Sequence, residues 1–509
     1  MEASRRAEAV VVKSARIGVI DLGSNSIRLV VYDRLRRSPA VEFNERVLCG
    51  LGRGLARTGR LSTDGRMRAL ENLARFVLLA RHMQVDRLDI LATAAVRDAT
   101  DGAQFVEEVE RRCKHKVQVV TGQDEARLSA LGVLSGMPRA DGIMGDLGGG
   151  SLELVELKSG QIDKQATLPL GPLRLIELSD DEPKKSRGFV DATLEGLPWL
   201  PSLKGRSFYA VGGAWRAIAR LHIEQSHYPL HVIHHYRAVR EEMIDFCRLI
   251  TAQSRKSLES MSANVSRKRL ETLPHAALIL HRVLRAASPS HVVFSALGIR
   301  EGQIFNLLSE AQKKEDPLIS AAADLALIDS RFEPIGEELN RWMSPLFVGE
   351  SADHGRLRRA ACHLGDIAWR EHPDYRAEHA CLRILRMPIA GIDHPSRGFL
   401  AIAICVRYGG RPSGEEASRA RALLDPESID QASRIGHAIR VGIAVSGGAA
   451  TLLRRTSLTL DGERLTLLLP DEVGDLRGEQ MERRLEGLAQ AFGRRFAIAA
   501  AKGMKRQGS

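Results

Sequence analysis

The feature that most restricts the fold is a motif that occurs twice. Residues 144–157 read MGDLGGGSLELVEL, an apolar run, three consecutive glycines (Gly148, Gly149, Gly150) and a second apolar run. Residues 18–33 read GVIDLGSNSIRLVVYD, with Asp21-Leu22-Gly23 entering the turn and Ser24, Asn25 and Ser26 following. Each reads as a strand, a tight turn and a second strand. Glycine permits positive φ and leaves no Cβ in the way of an anion, so successive N–H groups can face phosphate oxygens. Asp146 enters the second turn and Glu153 leaves it, and two carboxylates beside a phosphate cradle suit a hard divalent cation such as Mg²⁺. One such hairpin alone could be an ordinary tight turn. Two copies, about half a domain apart, predict related lobes facing each other across a cleft, each presenting a phosphate-binding turn.

The intervening segments fit that plan. A glycine-rich loop carries Arg53, Arg57 and Arg60, and Ser62 or Thr63 then caps a helix on which Met67, Leu70, Ala74, Val77 and Arg81 recur at helical spacing. A buried strand over residues 88–93 delivers ATAAVRDA. Strands of this α/β type end at the ligand crevice, so Thr93 and Arg97 are placed to meet a phosphate; a surface arginine on a loop is the plainer alternative. A helix near 102–113 and a strand over 117–120 lead to TGQDEARLSALGV. There Gly122-Gln123-Asp124-Glu125 opens a helix, one acid serving as cap while the other can point into the cleft.

Beyond the second hairpin, LPLGPLRLIE and YAVGGAWRAIARL continue the second lobe. Gly212-Gly213 before a helix is a further anion-site pattern, read equally well as strand–helix packing. His227, His231, His234 and His235 suggest a metal, but Pro229, Tyr236 and the lack of organised acidic partners favour a polar loop. Residues 290–308 close the lobe with a strand, a turn at Gly298 and a helix. The charged run AQKKEDP (311–317) marks a boundary. Past it, helical hairpins over 318–371 and 377–408 predict an all-helical region. From residue 430 onward, strands at 457–460 and 464–469 and a basic amphipathic helix over 479–499 predict a small α+β end domain. No catalytic grouping occurs there, and a binding surface or dimer contact is the expected role.

At 509 residues the chain is long enough for two to four domains, and 44% hydrophobic residues supply their cores. The longest apolar run, 399–406, is too short to cross a bilayer, and MEASRRAEAVVVKSAR has no signal-type apolar core, so a soluble cytoplasmic protein is expected. The six cysteines lack CxxC spacing and are expected as buried thiols. A net charge of +11 favours a polyanionic partner, yet only 5% of residues are aromatic and no motif reads or stacks bases. A phosphate polymer fits better than nucleic acid; a basic surface serving solubility alone is the bland alternative.

At these residues the chain resembles the exopolyphosphatase and guanosine pentaphosphate phosphohydrolase (Ppx/GppA) family. The matching motifs are IDLGSNSIRLVV, GLGRGL with the following LS, ATAAVRDA, GQDEAR, DLGGGSLEL, PLGPLRL, VGGAWRAIA and ALGIREG, in family order over about residues 15–310. The resemblance implies an α/β fold of two actin-like (ASKHA, ribonuclease H-like) lobes over 1–135 and 136–312. It further implies a helical HD-like domain over 317–425 and a small α+β domain over 430–509. It implies Mg²⁺-dependent hydrolysis of terminal phosphoanhydride bonds and a homodimer, with K⁺ a second candidate cofactor. Glu125 would position or deprotonate the attacking water, with Arg97 beside it, and Asp21, Asp146 and Glu153 would hold the metal. Gly23, Ser24, Asn25, Ser26, Arg28, Thr93, Gly148, Gly149, Gly150, Ser151, Gly212 and Gly213 would bind phosphate.

Two departures stand out. The family's GREEA is GQDEA here, which keeps a second acid but loses a positive charge. In ACHLGDIA, Gly365-Asp366 occupies the place of an HD-type His-Asp pair and His363 is off register, so no second metal site is expected. The expected activity is processive release of orthophosphate from the ends of inorganic polyphosphate. Guanosine pentaphosphate is the alternative substrate and would need a purine pocket. An ATP-dependent kinase of the same fold would need an adenosine site, and a non-enzymatic phosphate sensor would not need Glu125.

Overall fold

The computed structural model describes residues 15–260 and 267–500. Most of the stretch read above for a targeting signal, and residues 501–509 of the end domain, lie outside them. The chain divides into two compact units between Lys314 and Glu315, within the charged run.

The first unit holds two sheets of one plan. In the first, β1 (Arg16–Leu22), β2 (Ser26–Tyr32) and β3 (Val41–Leu48) form an antiparallel meander. Next to β1 lies β4 (Val85–Ala92), parallel to it, and then β5 (Gln118–Val119). In the second, β6 (Gly142–Leu147), β7 (Leu152–Lys158) and β8 (Gln161–Leu168) repeat the meander, and β9 (Ser207–Val211) lies parallel to β6. The edge is completed by β10 (Tyr236–Val239) and β11 (His291–Phe294), in the order β10-β11-β9-β6-β7-β8. The duplicated hairpins are β1–β2 and β6–β7. Asp21 pairs with Arg28 across the first, and Asp146 with Glu153 at the same position of the second. Strands β1, β4, β6 and β9 all deliver their carboxyl ends to one crevice.

Six helices matter for the site: α1 (Thr63–His82), α2 (Gly102–Cys113), α3 (Gly122–Gly136), α4 (Gly213–Gln225), α5 (Leu273–Ala287) and α6 (Ile299–Leu307). The Ser62 hydroxyl caps α1 by accepting from the Gly65 N–H at 3.2 Å. Its core face is Ala69, Leu70, Leu73, Phe76, Val77 and Ala80; Met67, placed on the apolar stripe by spacing, is exposed.

Helices α3 and α6 are exchanged between the lobes, contrary to the sequence-based placement of residues 290–308 wholly in the second lobe. Although α3 follows first-lobe strands, its Ala126, Ala130 and Val133 pack on Met144, Val155 and Tyr209 of the second sheet. Ile299 and Ile304 of α6 pack instead with Ile17, Val19, Val30 and Leu91 of the first. The two helices touch through glycine. A Cβ at Gly132 would overlap the Gly298 carbonyl, and one at Gly302 would overlap that of Leu128. Leucine at either position would force the lobes apart.

The second unit is built on α7 (Pro317–Asp329), α8 (Gly336–Met343), α9 (Ala352–His363), α10 (Arg376–Arg386), α11 (His394–Arg407) and α12 (Pro426–Ser446). The apolar run over 399–406 is the buried body of α11, and among the described residues no helix is long and apolar enough to cross a membrane. Helix α12 packs along α11, so the helical region continues past residue 430, where the end domain was expected to begin. The small sheet comprises β12 (Ser457–Leu460), β13 (Arg464–Leu469) and β14 (Arg495–Ala500) beside α13 (Glu479–Ala491). The last helix therefore ends at Ala491 rather than 499. Gly493 adopts φ 64° just beyond it, and residues 495–500 pair parallel to β13. His363 bonds Glu337 at 2.9 Å, and Asp366 is held by Arg331 and Arg407.

Candidate active site

A cavity of about 710 Å³ opens between the two hairpin turns. The turns meet closely: a Cβ at Gly149 would stand 3.0 Å from the Ser24 Cβ, so only glycine lets the second turn face the first. Asp21, Gly23, Ser24, Asn25, Ser26, Arg28, Thr93, Glu125, Asp146, Gly148, Gly149, Ser151, Gly212 and Gly213 line this space together. Of the residues expected there, Arg97, Gly150 and Glu153 are not on its wall.

Glu125 occupies the first turn of α3. The cap of that helix is neither acid: the Thr121 hydroxyl accepts from the Asp124 N–H at 3.1 Å and donates to the Asp124 carboxylate at 2.8 Å. That leaves Glu125 to turn inward, where it is 8% exposed. Arg97 Nη1 donates to its Oε2 at 2.8 Å and to the Val120 carbonyl at 3.2 Å, while Arg97 Nε donates to Asp98 at 3.2 Å. Arg97, expected to meet a phosphate, is not on the cavity wall, and its Nη1 and Nε groups bond Glu125, the Val120 carbonyl and Asp98. Burial pushes the Glu125 carboxyl up to about 7, Arg97 opposes that shift, and Asp146 and Asp21 add to it.

The two hairpin aspartates are held unequally. Arg300 Nη1, at the start of α6, donates to Asp21 Oδ2 at 2.8 Å. Glu301 backs it, accepting from the Tyr32 hydroxyl and the Gly298 N–H, both at 2.9 Å. Asp146 instead accepts from the Ser129 hydroxyl on Oδ2 at 2.5 Å. Burial raises its pKa, and the Ser129 hydrogen bond and Arg216 lower it. Glu153 is 1% exposed behind the wall and its Oε1 has no hydrogen-bond partner. Burial, with Glu125 and Asp146 nearby, holds its carboxyl well above the usual carboxylate range.

Among the described residues no three His, Cys, Asp or Glu side chains converge as a ready metal cage, so Asp21, Asp146 and Glu153 do not form a closed three-ligand site. The donor set still suits Mg²⁺, a hard cation held by one or two carboxylates together with waters and substrate phosphate oxygens. Asp146, on the wall and with no hydrogen bond to Oδ1 among the described residues, is the residue that would hold it.

Sequence reasoning missed the site's largest feature. Besides Arg28, the cavity is lined by Arg46, Arg216, Arg220, Arg269 and Arg300. Arg300 is tied to the Asp21 carboxylate, whereas Arg28 bonds Asn44 and Arg216 bonds the Gly212 and Ala296 carbonyls. Burial, then the charges of Arg300 and neighbouring arginines, push Arg28 and Arg216 each down to about 10. Arg46 is lowered by burial and by Arg220 and Arg300. Two period signals point to them. Asn44, Arg46 and Leu48 alternate along β3 and share a face, and Arg216 and Arg220 are one turn apart on α4.

Of the histidine patch, His234 Nδ1 lies 3.4 Å from the Ala296 N–H and His235 Nε2 lies 3.4 Å from the Gly136 carbonyl. All six cysteines are free and buried.

Comparison with known proteins accords with this geometry. Retrograde regulation protein 2 of Saccharomyces cerevisiae is 28% identical over 453 residues, covering 80% of this chain and 75% of its own length. Exopolyphosphatase 1 of Mycobacterium tuberculosis is 28% identical over 319 residues, covering 58% of this chain and 89% of its own length. The crystal structure of an exopolyphosphatase from Cytophaga hutchinsonii shares the fold, with a TM-score of 0.53 at 22% identity over 57% of this chain and 97% of that one. The family model of the Ppx/GppA phosphatases matches residues 9–311 and that of the exopolyphosphatase C-terminal region matches 318–499. With its two actin-like lobes and a matched C-terminal region, the chain belongs to the Ppx/GppA phosphatase family.

Proposed function

We propose that the protein is an exopolyphosphatase, hydrolysing the terminal phosphoanhydride bond of inorganic polyphosphate. The observation that carries this reading is the arginine cluster. Arg28, Arg46, Arg216 and Arg220 face one cavity from both lobes with no carboxylate salt bridge among the described residues, and burial together with neighbouring arginine charge lowers the pKa of Arg28, Arg46 and Arg216. A polyanion threaded between them relieves that repulsion, and each phosphate satisfies donors that protein acids leave free.

In the same cavity, the ionised Glu125 carboxylate accepts a proton from water as the water oxygen bonds to the terminal phosphorus. The bridging P–O bond breaks, and the shortened chain leaves with the electron pair on its oxygen. Arg97 holds Glu125 in place, and the backbone N–H groups of the glycine turns bind the equatorial oxygens. Mg²⁺ at Asp146 would supply charge neutralisation on the phosphates.

Guanosine pentaphosphate is the second reading within this chemistry. Among the described residues no aromatic side chain lines the cavity to stack a guanine, which favours the polymer. A non-enzymatic phosphate sensor is the reading from another class, supported by the relative named as a regulation protein, whose likeness extends over both units. A sensor has no need of a buried acid held by an arginine, and Glu125 favours hydrolysis. Phosphate release from polyphosphate, guanosine pentaphosphate and ATP, measured side by side, tests the proposal. Turnover is expected with polyphosphate above the other two. Turnover with guanosine pentaphosphate alone, or with none, would overturn it.

A further inference from the structure

The two hairpin aspartates differ in one respect that the duplication does not explain: Asp21 is bonded to an arginine and Asp146 is not. Yet Asp146 feels the positive charge of both Arg216 and Arg300. A carboxylate on this wall, free to rotate, would turn toward those guanidiniums and form an ion pair. That pair would remove one anionic oxygen from a cation and one guanidinium from the phosphates.

What holds Asp146 otherwise is Ser129, fully buried on α3 one turn after Glu125. Its hydroxyl donates to Oδ2 at 2.5 Å, and among the described residues no hydrogen bond reaches Oδ1. Because Ser129 and Glu125 stand four residues apart on one helix, α3 presents a water-orienting acid and a carboxylate-orienting hydroxyl on the same face.

We propose that Ser129 is a positioning residue: it holds the Asp146 carboxylate on the α3 side of the cavity, keeping one oxygen available to a divalent cation and keeping Arg216 available to phosphate. This rests on the reading of Asp146 as the Mg²⁺ ligand. Removing a hydrogen-bond partner of a metal-ligating group typically costs about 10–100-fold in metal affinity.

The test uses the full chain and Mn²⁺ as a spectroscopic stand-in for Mg²⁺, with binding measured by electron paramagnetic resonance in the absence of substrate. Ser129→Ala is expected to weaken Mn²⁺ binding by at least about tenfold. At saturating cation, KM for tripolyphosphate should rise, because Asp146 is released to pair with Arg216. In an Asp146→Asn background, Ser129→Ala should add no further loss, since the two act as one unit. Unchanged Mn²⁺ affinity in Ser129→Ala, or full additivity with Asp146→Asn, would mean that the serine merely fills its site and would overturn the proposal. A parent protein that binds no Mn²⁺ would overturn it together with the metal reading. The hydrolase reading is judged separately, by phosphate release.

Discussion

Among single residues, Glu125 and the groups that set its proton affinity govern the proposed reaction. Glu125→Gln keeps size and hydrogen-bonding shape but removes the base. Turnover of polyphosphate is expected to fall by a factor of roughly 10²–10⁴, while binding of the polyanion stays near the parent value. Turnover within about threefold of the parent would remove Glu125 from the mechanism. Only the ionised form accepts a proton, and burial raises its pKa to about 7. The rate should therefore be flat in alkali and fall as the pH drops through about 7. Arg97 lowers that pKa, so Arg97→Met should move the falling limb to higher pH; a pH–rate profile of both proteins checks the direction. Asp146→Asn is expected to raise the Mg²⁺ concentration for half-maximal rate. If that concentration is unchanged while the maximal rate drops, Asp146 orients water instead.

At the scale of elements, what could be read in the chain and what could not have separate physical causes. The hairpins β1–β2 and β6–β7 are legible because a glycine-rich turn between apolar runs has few other uses, and with them came most of the cavity's backbone donors. Glu125 was legible through its motif, but its cap was not, since Thr121, Asp124 and Glu125 all suit a helix start and only packing selects the threonine. The edge strand β3 is half exposed and charged, VEFNERVL, so its pattern is weak and Arg46 went with it. The exchange of α3 and α6 between lobes leaves no local trace, because an apolar helix face does not name the sheet it covers. The glycines that permit the crossing give a test. Gly302→Ala places a Cβ against the Leu128 carbonyl and should destabilise the first unit by about 1–3 kcal/mol in urea unfolding. Because α3 carries Glu125 and α6 carries Arg300, the surviving folded protein should also turn over more slowly. A variant as stable and active as the parent would mean that this helix contact does not set the site.

In the whole molecule, every residue of the proposed reaction belongs to the first unit, and among the described residues of the second unit no metal-binding cluster accompanies its arginines. Burial lowers the pKa of Arg440 and Arg484, on α12 and α13, and the charge of Arg440 lowers that of Arg484 further. A chain truncated at Asp316 that stays folded is expected to retain hydrolysis of tripolyphosphate and to lose its preference for long polyphosphate. Long-chain binding by the full protein should also weaken steeply with salt, because every phosphate contact releases counterions, while tripolyphosphate responds less. Equal loss on short and long substrates would assign the second unit to support of the lobes alone. Water attack on the terminal phosphorus promoted by Glu125 can be followed by hydrolysing long-chain polyphosphate in H₂¹⁸O with parent and Glu125→Gln in parallel. One ¹⁸O is expected in each orthophosphate that the parent releases, with chains that shorten from their ends and almost no release by the variant. Label left on the residual chain ends, or equal release by both proteins, would contradict it.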